Sequence, residues 1–406
     1  MRQPRVPTVP LSAPGRRRRT RRWSQGVGAL AVTAACAVGL PAQAAADGGT
    51  TSLPAIPLAL AQDAPCTPES KRTAEGVTWA QKSLSLPHAW KLSRGQGVTV
   101  AVVGSGVSLA APALKGRVTT VGDAGEDCVG HGTFIAGLIA AARTEGTAFQ
   151  GIAPAARVLA VRGTDERGVP SAERVAAGIR AAVDRGARVV NVALALPTGK
   201  KELTDAVRHA VEHDVLVVAP IAPDAEPRPG DRPAEAYWPA AAPGVLSVAG
   251  VGEDGAALKS AVGSAKADLA APGGPVIGVG PHGKGHFIAA GSSAAAAYTT
   301  GAAALVRAYD PDLTAAETAD RLTLSAAPAG EAARLDPYAA LSMVSTASRA
   351  PAAAPVESGP LRLPVASTVL QDRAMVIAGA MAMLVILVAA AAAVIPRGRA
   401  RGWRRP

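Results

Sequence analysis

From residue 98 onward the chain alternates short, almost wholly apolar runs with longer segments whose apolar positions recur every three or four residues. Val98-Thr99-Val100-Ala101-Val102-Val103, Arg157 to Val161, Arg188-Val189-Val190-Asn191-Val192-Ala193, Val215-Leu216-Val217-Val218-Ala219 and Val245-Leu246-Ser247-Val248-Ala249 have strand length and are rich in β-branched residues. Ala172 to Arg185 and Leu203 to His213, between them, have helical spacing. A strand apolar on both faces needs cover on both, and amphipathic helices placed between such strands supply it. The pattern predicts an α/β fold, a mostly parallel sheet with helices on both faces.

Two apolar runs at the ends have a different origin. Val27 to Leu40 follows Arg16 to Arg22 and precedes Pro41-Ala42-Gln43-Ala44-Ala45-Ala46. A basic start, an apolar middle and a small-residue cleavage site make a secretory signal peptide, assigned to residues 1–44. The Arg-rich start fits the general export route, with the twin-arginine route as the alternative. Ala374 to Ile395 carries no charge and meets the roughly 20 residues that a spanning helix needs. Arginines follow at once, so the positive-inside rule puts residues 396–406 in the cytoplasm and the folded body outside. A single-pass cell-membrane protein is expected. Residues 45–82, rich in Ala, Pro, Thr and Gly, read as an extension that wraps rather than folds alone. Residues 83–345 hold the α/β domain, and the Pro/Ala-rich stretch 346–373 reads as a tether to the membrane helix.

Charge follows this division. The formal net charge is +11, but the eight arginines of residues 1–46 and the five after residue 395 are accompanied by no acid, and the remainder sums to −2. Basicity confined to the ends argues against a nucleic-acid footprint on the folded body, and no nucleic-acid partner is expected. Cys36 falls within the signal peptide, which leaves Cys66 and Cys128 in the mature chain. Two cysteines in an oxidising compartment most often pair; two buried free thiols are the alternative.

Candidate chemistry lies at two small-residue helix starts. Gly291-Ser292-Ser293-Ala294-Ala295-Ala296-Ala297, continuing to Val306, reads as a turn opening straight into a buried helix with Ser293 in its first turn. Unpaired N–H groups and the positive end of the helix dipole meet there, so an oxyanion beside Ser293 would be stabilised. Gly130-His131-Gly132-Thr133 opens a second Ala/Gly-rich helix, Phe134 to Ala142. Together these stretches resemble the histidine and serine boxes of the subtilisin-like serine proteases, over about residues 79–340. Glu126-Asp127-Cys128-Val129-Gly130-His131-Gly132-Thr133 is similar to the histidine box of one branch, the mycosins, membrane-anchored subtilases of type VII secretion. The resemblance implies a serine endopeptidase scaffold in which Ser293 attacks and His131 takes its proton. It also implies a Cys66–Cys128 bridge stapling the extension near the histidine box, and a type VII secretion membrane complex as partner.

In such an enzyme an aspartate orients the histidine and an asparagine side chain helps to hold the oxyanion. The aspartate belongs at the end of the first strand, where this chain has Val102-Val103-Gly104-Ser105-Gly106-Val107. The asparagine belongs after the Val215 strand, and aligning Ala219-Pro220-Ile221-Ala222-Pro223-Asp224 puts Pro223, which has no side-chain donor, in its place. Ser292 replaces a threonine, Ala297 a proline, and Ala195 a glycine that lines the substrate groove in the family. A methyl at Ala195 would crowd a substrate backbone. In subtilisin the acid is worth roughly 3 × 10⁴ in kcat and the asparagine about 10²–10³, and the two do not simply add. Glu126 and Asp127 are near His131 in sequence, but by the resemblance they precede the helix and face away from the inner ring nitrogen.

The remaining histidines suggest no cofactor. His209 and His213 share a helix face without a third ligand and read as solvated surface, and His282 and His286 lie in a Gly-rich loop and read as exposed. No metal site and no phosphate-binding loop is expected. Three functions fit: a proteolytically impaired mycosin-like protein serving as a structural or peptide-binding component, a slow endopeptidase using His131 and Ser293, or an unrelated extracellular binding protein on the same fold.

Overall fold

The computed structural model describes residues 53–225, 234–261, 266–330, 332–344 and 369–402. The expected signal peptide, residues 45–52 of the extension, the tether up to residue 368 and the last four residues lie outside them.

Seven strands form one parallel sheet: β1 (Thr99–Gly104), β2 (Val118–Thr120), β3 (Arg157–Arg162), β4 (Val189–Val192), β5 (Leu216–Pro220), β6 (Val245–Val251) and β7 (Leu269–Pro272), in the order β2-β3-β1-β4-β5-β6-β7. Its centre is fully buried, Val100 to Val103 being 0% exposed, as expected for strands apolar on both faces. One face is covered by α4 (Ala172–Asp184) and α5 (Lys200–Glu212), whose buried sides are Val175, Ile179, Leu203 and Val207. The other is covered by α3 (His131–Ala140) and α6 (Ser292–Tyr309), both buried almost all round, which is why Ala and Gly dominate them. Ahead of the sheet lie α1 (Trp79–Ser83) and α2 (Leu86–Ala89); after α6 come α7 (Ala315–Leu324) and α8 (Pro337–Ser342). A hairpin, β8 (Val276–Val279) with β9 (His286–Ala289), stands apart from the main sheet. The expected α/β class is the observed one, and the five anticipated strands all lie within two residues of their observed ends.

Residues from Leu53 onward pair with β9. Ile56 N–H donates to the Ile288 carbonyl at 3.0 Å and Ile288 N–H to that of Pro54 at 2.9 Å. Farther along, His286 N–H donates to the Arg72 carbonyl at 2.7 Å, and Ala74 N–H donates to His286 Nδ1 at 2.9 Å. Cys66 and Cys128 are joined in a disulfide, so the free-thiol alternative falls. Beside it Thr67 N–H donates to the Cys128 carbonyl at 2.8 Å and the Thr67 hydroxyl to that of Val129 at 2.6 Å.

The expectation of an exposed His286 is corrected. It is 0% exposed, edge-on to Phe149, and burial lowers the pKa of its ring below the ordinary histidine value. The Gly-rich stretch is a hairpin under the extension, not a free loop. His209 and His213 sit on α5 and in its cap; His209 Nε2 pairs with Asp184 at 3.2 Å and His213 Nδ1 meets the His209 carbonyl at 2.8 Å.

The last described helix, α9 (Val369–Ala400), contains a 24-residue stretch, Met375–Gly398, long and apolar enough to cross a membrane. None of its most apolar 18-residue window is buried inside the protein.

Candidate active site

The sheet order reverses direction around β1, and in open α/β sheets functional sites form beyond the C-terminal strand ends near such a point. His131 and Ser293 are brought together there by the starts of α3 and α6. Ser293 Oγ lies 3.3 Å from His131 Nε2, and the two residues are 3% and 5% exposed. Residues 162 positions apart in sequence thus form a nucleophile and base pair within hydrogen-bond reach.

The α3 start is held by a buried network built from the residues just before it. Asp127 accepts from Gly130 N–H and the Ser105 hydroxyl through Oδ1, both at 2.8 Å. Its Oδ2 accepts from Thr133 N–H at 2.8 Å and the Thr133 hydroxyl at 2.7 Å. Ser105 Oγ in turn accepts Gly132 N–H at 2.9 Å. Asp127 is therefore committed to capping the helix, in keeping with its expected orientation away from His131. Gly132 packs against the Gly106 backbone so closely that any Cβ would overlap the Gly106 carbonyl, which explains the glycine beside the histidine.

Gly104, where the resemblance puts the acid, closes β1. A Cβ built there would meet Ala193 Cβ at 3.7 Å and Gly132 Cα at 3.8 Å, ordinary contacts that leave room for a side chain. Among the described residues no acidic side chain contacts His131 other than Asp224.

Asp224, the residue after Pro223, makes the contact with the serine. The loop after β5 sends the Asp224 side chain, not that of Pro223, onto Ser293. Ser293 N–H donates to Asp224 Oδ1 at 2.9 Å, the Ser293 hydroxyl donates to Oδ2, and Oδ2 lies 3.5 Å from His131 Nε2. The Asp224 side chain is 7% exposed. Sequence reasoning missed it by one residue, because a loop carrying Pro220 and Pro223 turns in a way that strand spacing does not encode. A Cβ at Gly291 would overlap this carboxylate, so the serine turn accommodates Asp224 only as glycine.

Beside the pair runs an open cleft of about 190 Å³. Leu194 and Ala195 form one wall, Pro223 and Asp224 another, and Leu58 and Ala59 of the N-terminal extension close part of the rim. Ala195 is where a glycine was expected, and its methyl is part of the lining. The lining is mostly apolar, suited to extended peptide more than to charged small molecules.

Comparison with known proteins places these features in context. Residues 95–346 match the model of the subtilase family. Mycosin-3 of Mycobacterium tuberculosis is 32% identical over 402 residues, covering 80% of this chain and 86% of the relative. An intracellular serine protease of Paenibacillus polymyxa is 30% identical over 268 residues, covering 62% and 81%. The structure of the MycP3 protease from the type VII (ESX-3) secretion system superposes with a TM-score of 0.60 at 32% identity, covering 72% of this chain and 95% of that one. A chain in the periplasmic assembly of the ESX-5 inner membrane complex superposes with a TM-score of 0.59 at 27% identity, covering 78% and 97%.

Proposed function

This chain belongs to the subtilase family, with mycosins of type VII secretion among its relatives, and we propose that it is a proteolytically impaired member serving a secretion membrane complex as a structural or peptide-binding component. Family membership removes the reading of an unrelated binding protein on the same fold. The observation that carries impairment is the pairing of an intact Ser293–His131 contact with Gly104 at the acid position and a carboxylate against the Ser293 amide. Without an acid on its inner nitrogen the imidazole is neither held in the useful tautomer nor stabilised once protonated. The 3.3 Å Ser293–His131 contact favours, as second reading, a slow endopeptidase using these two residues.

The membrane role extends from α9 and from the relative seen in an inner membrane assembly. In this proposal Met375–Gly398 spans the membrane, the arginines after it stay in the cytoplasm and the subtilase domain faces outward beside the complex. Residues 1–44 would be removed on export, and 346–373 would tether the domain. The cleft, narrowed by Ala195 and rimmed by Leu58 and Ala59, would hold peptide without cutting it.

The test is genetic and biochemical together. Deleting the gene should abolish secretion by the associated system, Ser293→Ala at the native locus should leave secretion intact, and the tagged protein should co-purify with the membrane complex. Loss of secretion in a stably expressed Ser293→Ala strain would replace the structural reading with the protease reading.

A further inference from the structure

We propose that Asp224 occupies the oxyanion hole and holds the Ser293–His131 pair closed to substrate. The inference rests on the impaired reading above and adds a cause of impairment separate from the missing acid at Gly104.

Attack by Ser293 on a carbonyl creates an oxyanion that must sit against preorganised donors, and the nucleophile's own backbone N–H at the start of α6 is one of them. Here that N–H is already donated to Asp224 Oδ1 at 2.9 Å. Oδ2 of the same carboxylate accepts the Ser293 hydroxyl and lies 3.5 Å from His131 Nε2. One side chain thus engages the donor of the hole, the proton of the nucleophile and the nitrogen of the base. Each is needed by the reaction, and none can serve substrate while Asp224 holds it.

Charge makes the block stronger than simple filling. A developing oxyanion would have to form against an anionic group buried to 7% exposure, where little water screens the repulsion. A carboxylate accepts hydrogen bonds and donates none, whereas an asparagine of the same shape offers two donors. The helix start itself favours this occupant, because an anion at the N-terminus of α6 is stabilised by the unpaired amides and the dipole. Pro220 and Pro223 restrict the loop that delivers Asp224, and Gly291 leaves the space that its carboxylate fills. The arrangement resembles a site with its acid product still bound, the product being part of the chain.

A different role would make Asp224 the base for the Ser293 hydroxyl, and the same variants separate the two, since removing a base slows the serine and removing an occupant frees it. The full-length protein in detergent is treated with a fluorophosphonate. Ser293 Oγ–P forms, P–F breaks, fluoride leaves, the hydroxyl proton passes to His131 Nε2, and the phosphonyl oxygen needs the hole. Wild type should label slowly and Ser293→Ala not at all. Asp224→Asn should label about 10²-fold faster than wild type, the worth of one oxyanion donor in a related protease. Asp224→Ala should label faster than wild type but slower than Asp224→Asn, because it vacates the hole without refilling it. As a check independent of the folding of the Asp224 variants, a peptide boronate, whose adduct oxygen needs the same N–H, should bind wild type no tighter than Ser293→Ala. Labelling of both Asp224 variants at or below the wild-type rate, with the Cys66–Cys128 bond intact and melting unchanged, would overturn the proposal. So would tight, Ser293-dependent boronate binding by wild type. Such results with a wild type that still fails to hydrolyse peptides would leave impairment to Gly104 alone; peptide hydrolysis by wild type at ordinary protease rates would remove both readings.

Discussion

Two helix starts in this molecule each carry a buried carboxylate, and the two carboxylates do different work. At α3, Asp127 sits four residues before His131 and accepts Gly130 N–H, Thr133 N–H and two hydroxyls. At α6, Asp224 arrives from 69 residues away and accepts Ser293 N–H and the Ser293 hydroxyl. The physics is shared: unpaired amides and a helix dipole attract a negative group. Only its place differs. Asp127 is taken up by Ser105, Gly130 and Thr133 and builds structure, whereas Asp224 lies on the reactive oxygen and takes the place of substrate. A scaffold can therefore keep its nucleophile and base in contact and still lose access to the donor that the reaction depends on.

Breaking the α3 side should have the largest effect on stability. Asp127→Ala removes four hydrogen bonds to a buried carboxylate, for a cost of about 3–5 kcal/mol and a fall of about 10 °C in melting temperature. Asp224→Asn keeps the shape and should change stability by less than about 1 kcal/mol. Calorimetry of the two variants decides the contrast; equal losses would mean that Asp224 is as structural as Asp127.

A somewhat smaller loss is expected from the staple beside the α3 start. Cys66→Ser with Cys128→Ser opens a loop spanning 62 positions, a change worth about 3–4 kcal/mol in the chain-entropy model. Denaturant unfolding checks it. The Ser293–His131 contact lies outside that loop's closure, so an unchanged fluorophosphonate rate should accompany the lower midpoint.

The smallest effect sharpens the role of the extension. His286 is held neutral by burial, with its ring value lowered, so the unfolded chain binds a proton more readily than the folded one. Stability should be intact above about 6.5, the ordinary histidine value, and should fall as the pH drops from there toward the lowered folded value. His286→Gln should flatten that slope in melting curves recorded from pH 8 to 5. An unchanged slope would place the acid sensitivity elsewhere.

Much of this was legible in the sequence because apolar runs and small-residue helices report burial directly. β1, β3 and β5 appear as unbroken apolar or nearly apolar runs, and α6 as a helix too small-sided to be anything but buried. β2 escaped notice because Val118–Thr120 is three residues long at a sheet edge. β8 and β9 escaped because Gly278 and the surrounding glycines read as loop, although the chain there pairs with itself and with the extension. That same misreading put His286 in solvent. That Ser293 and His131 would meet was legible because both sit at helix starts opened by turn glycines. Asp224 was not, because its reach depends on the path of a proline-bearing loop, and no periodicity specifies that path.

Peptide hydrolysis by the purified ectodomain, measured for wild type, Ser293→Ala and the pair Gly104→Asp with Asp224→Asn, tests the central claim most directly. Wild type should be indistinguishable from Ser293→Ala, Gly104→Asp alone should gain little while the hole stays filled, and the double variant should gain more than either single change, all of it abolished by Ser293→Ala. Hydrolysis by wild type at ordinary protease rates, lost in Ser293→Ala, would contradict the account and show that another group does the work of the acid absent at Gly104.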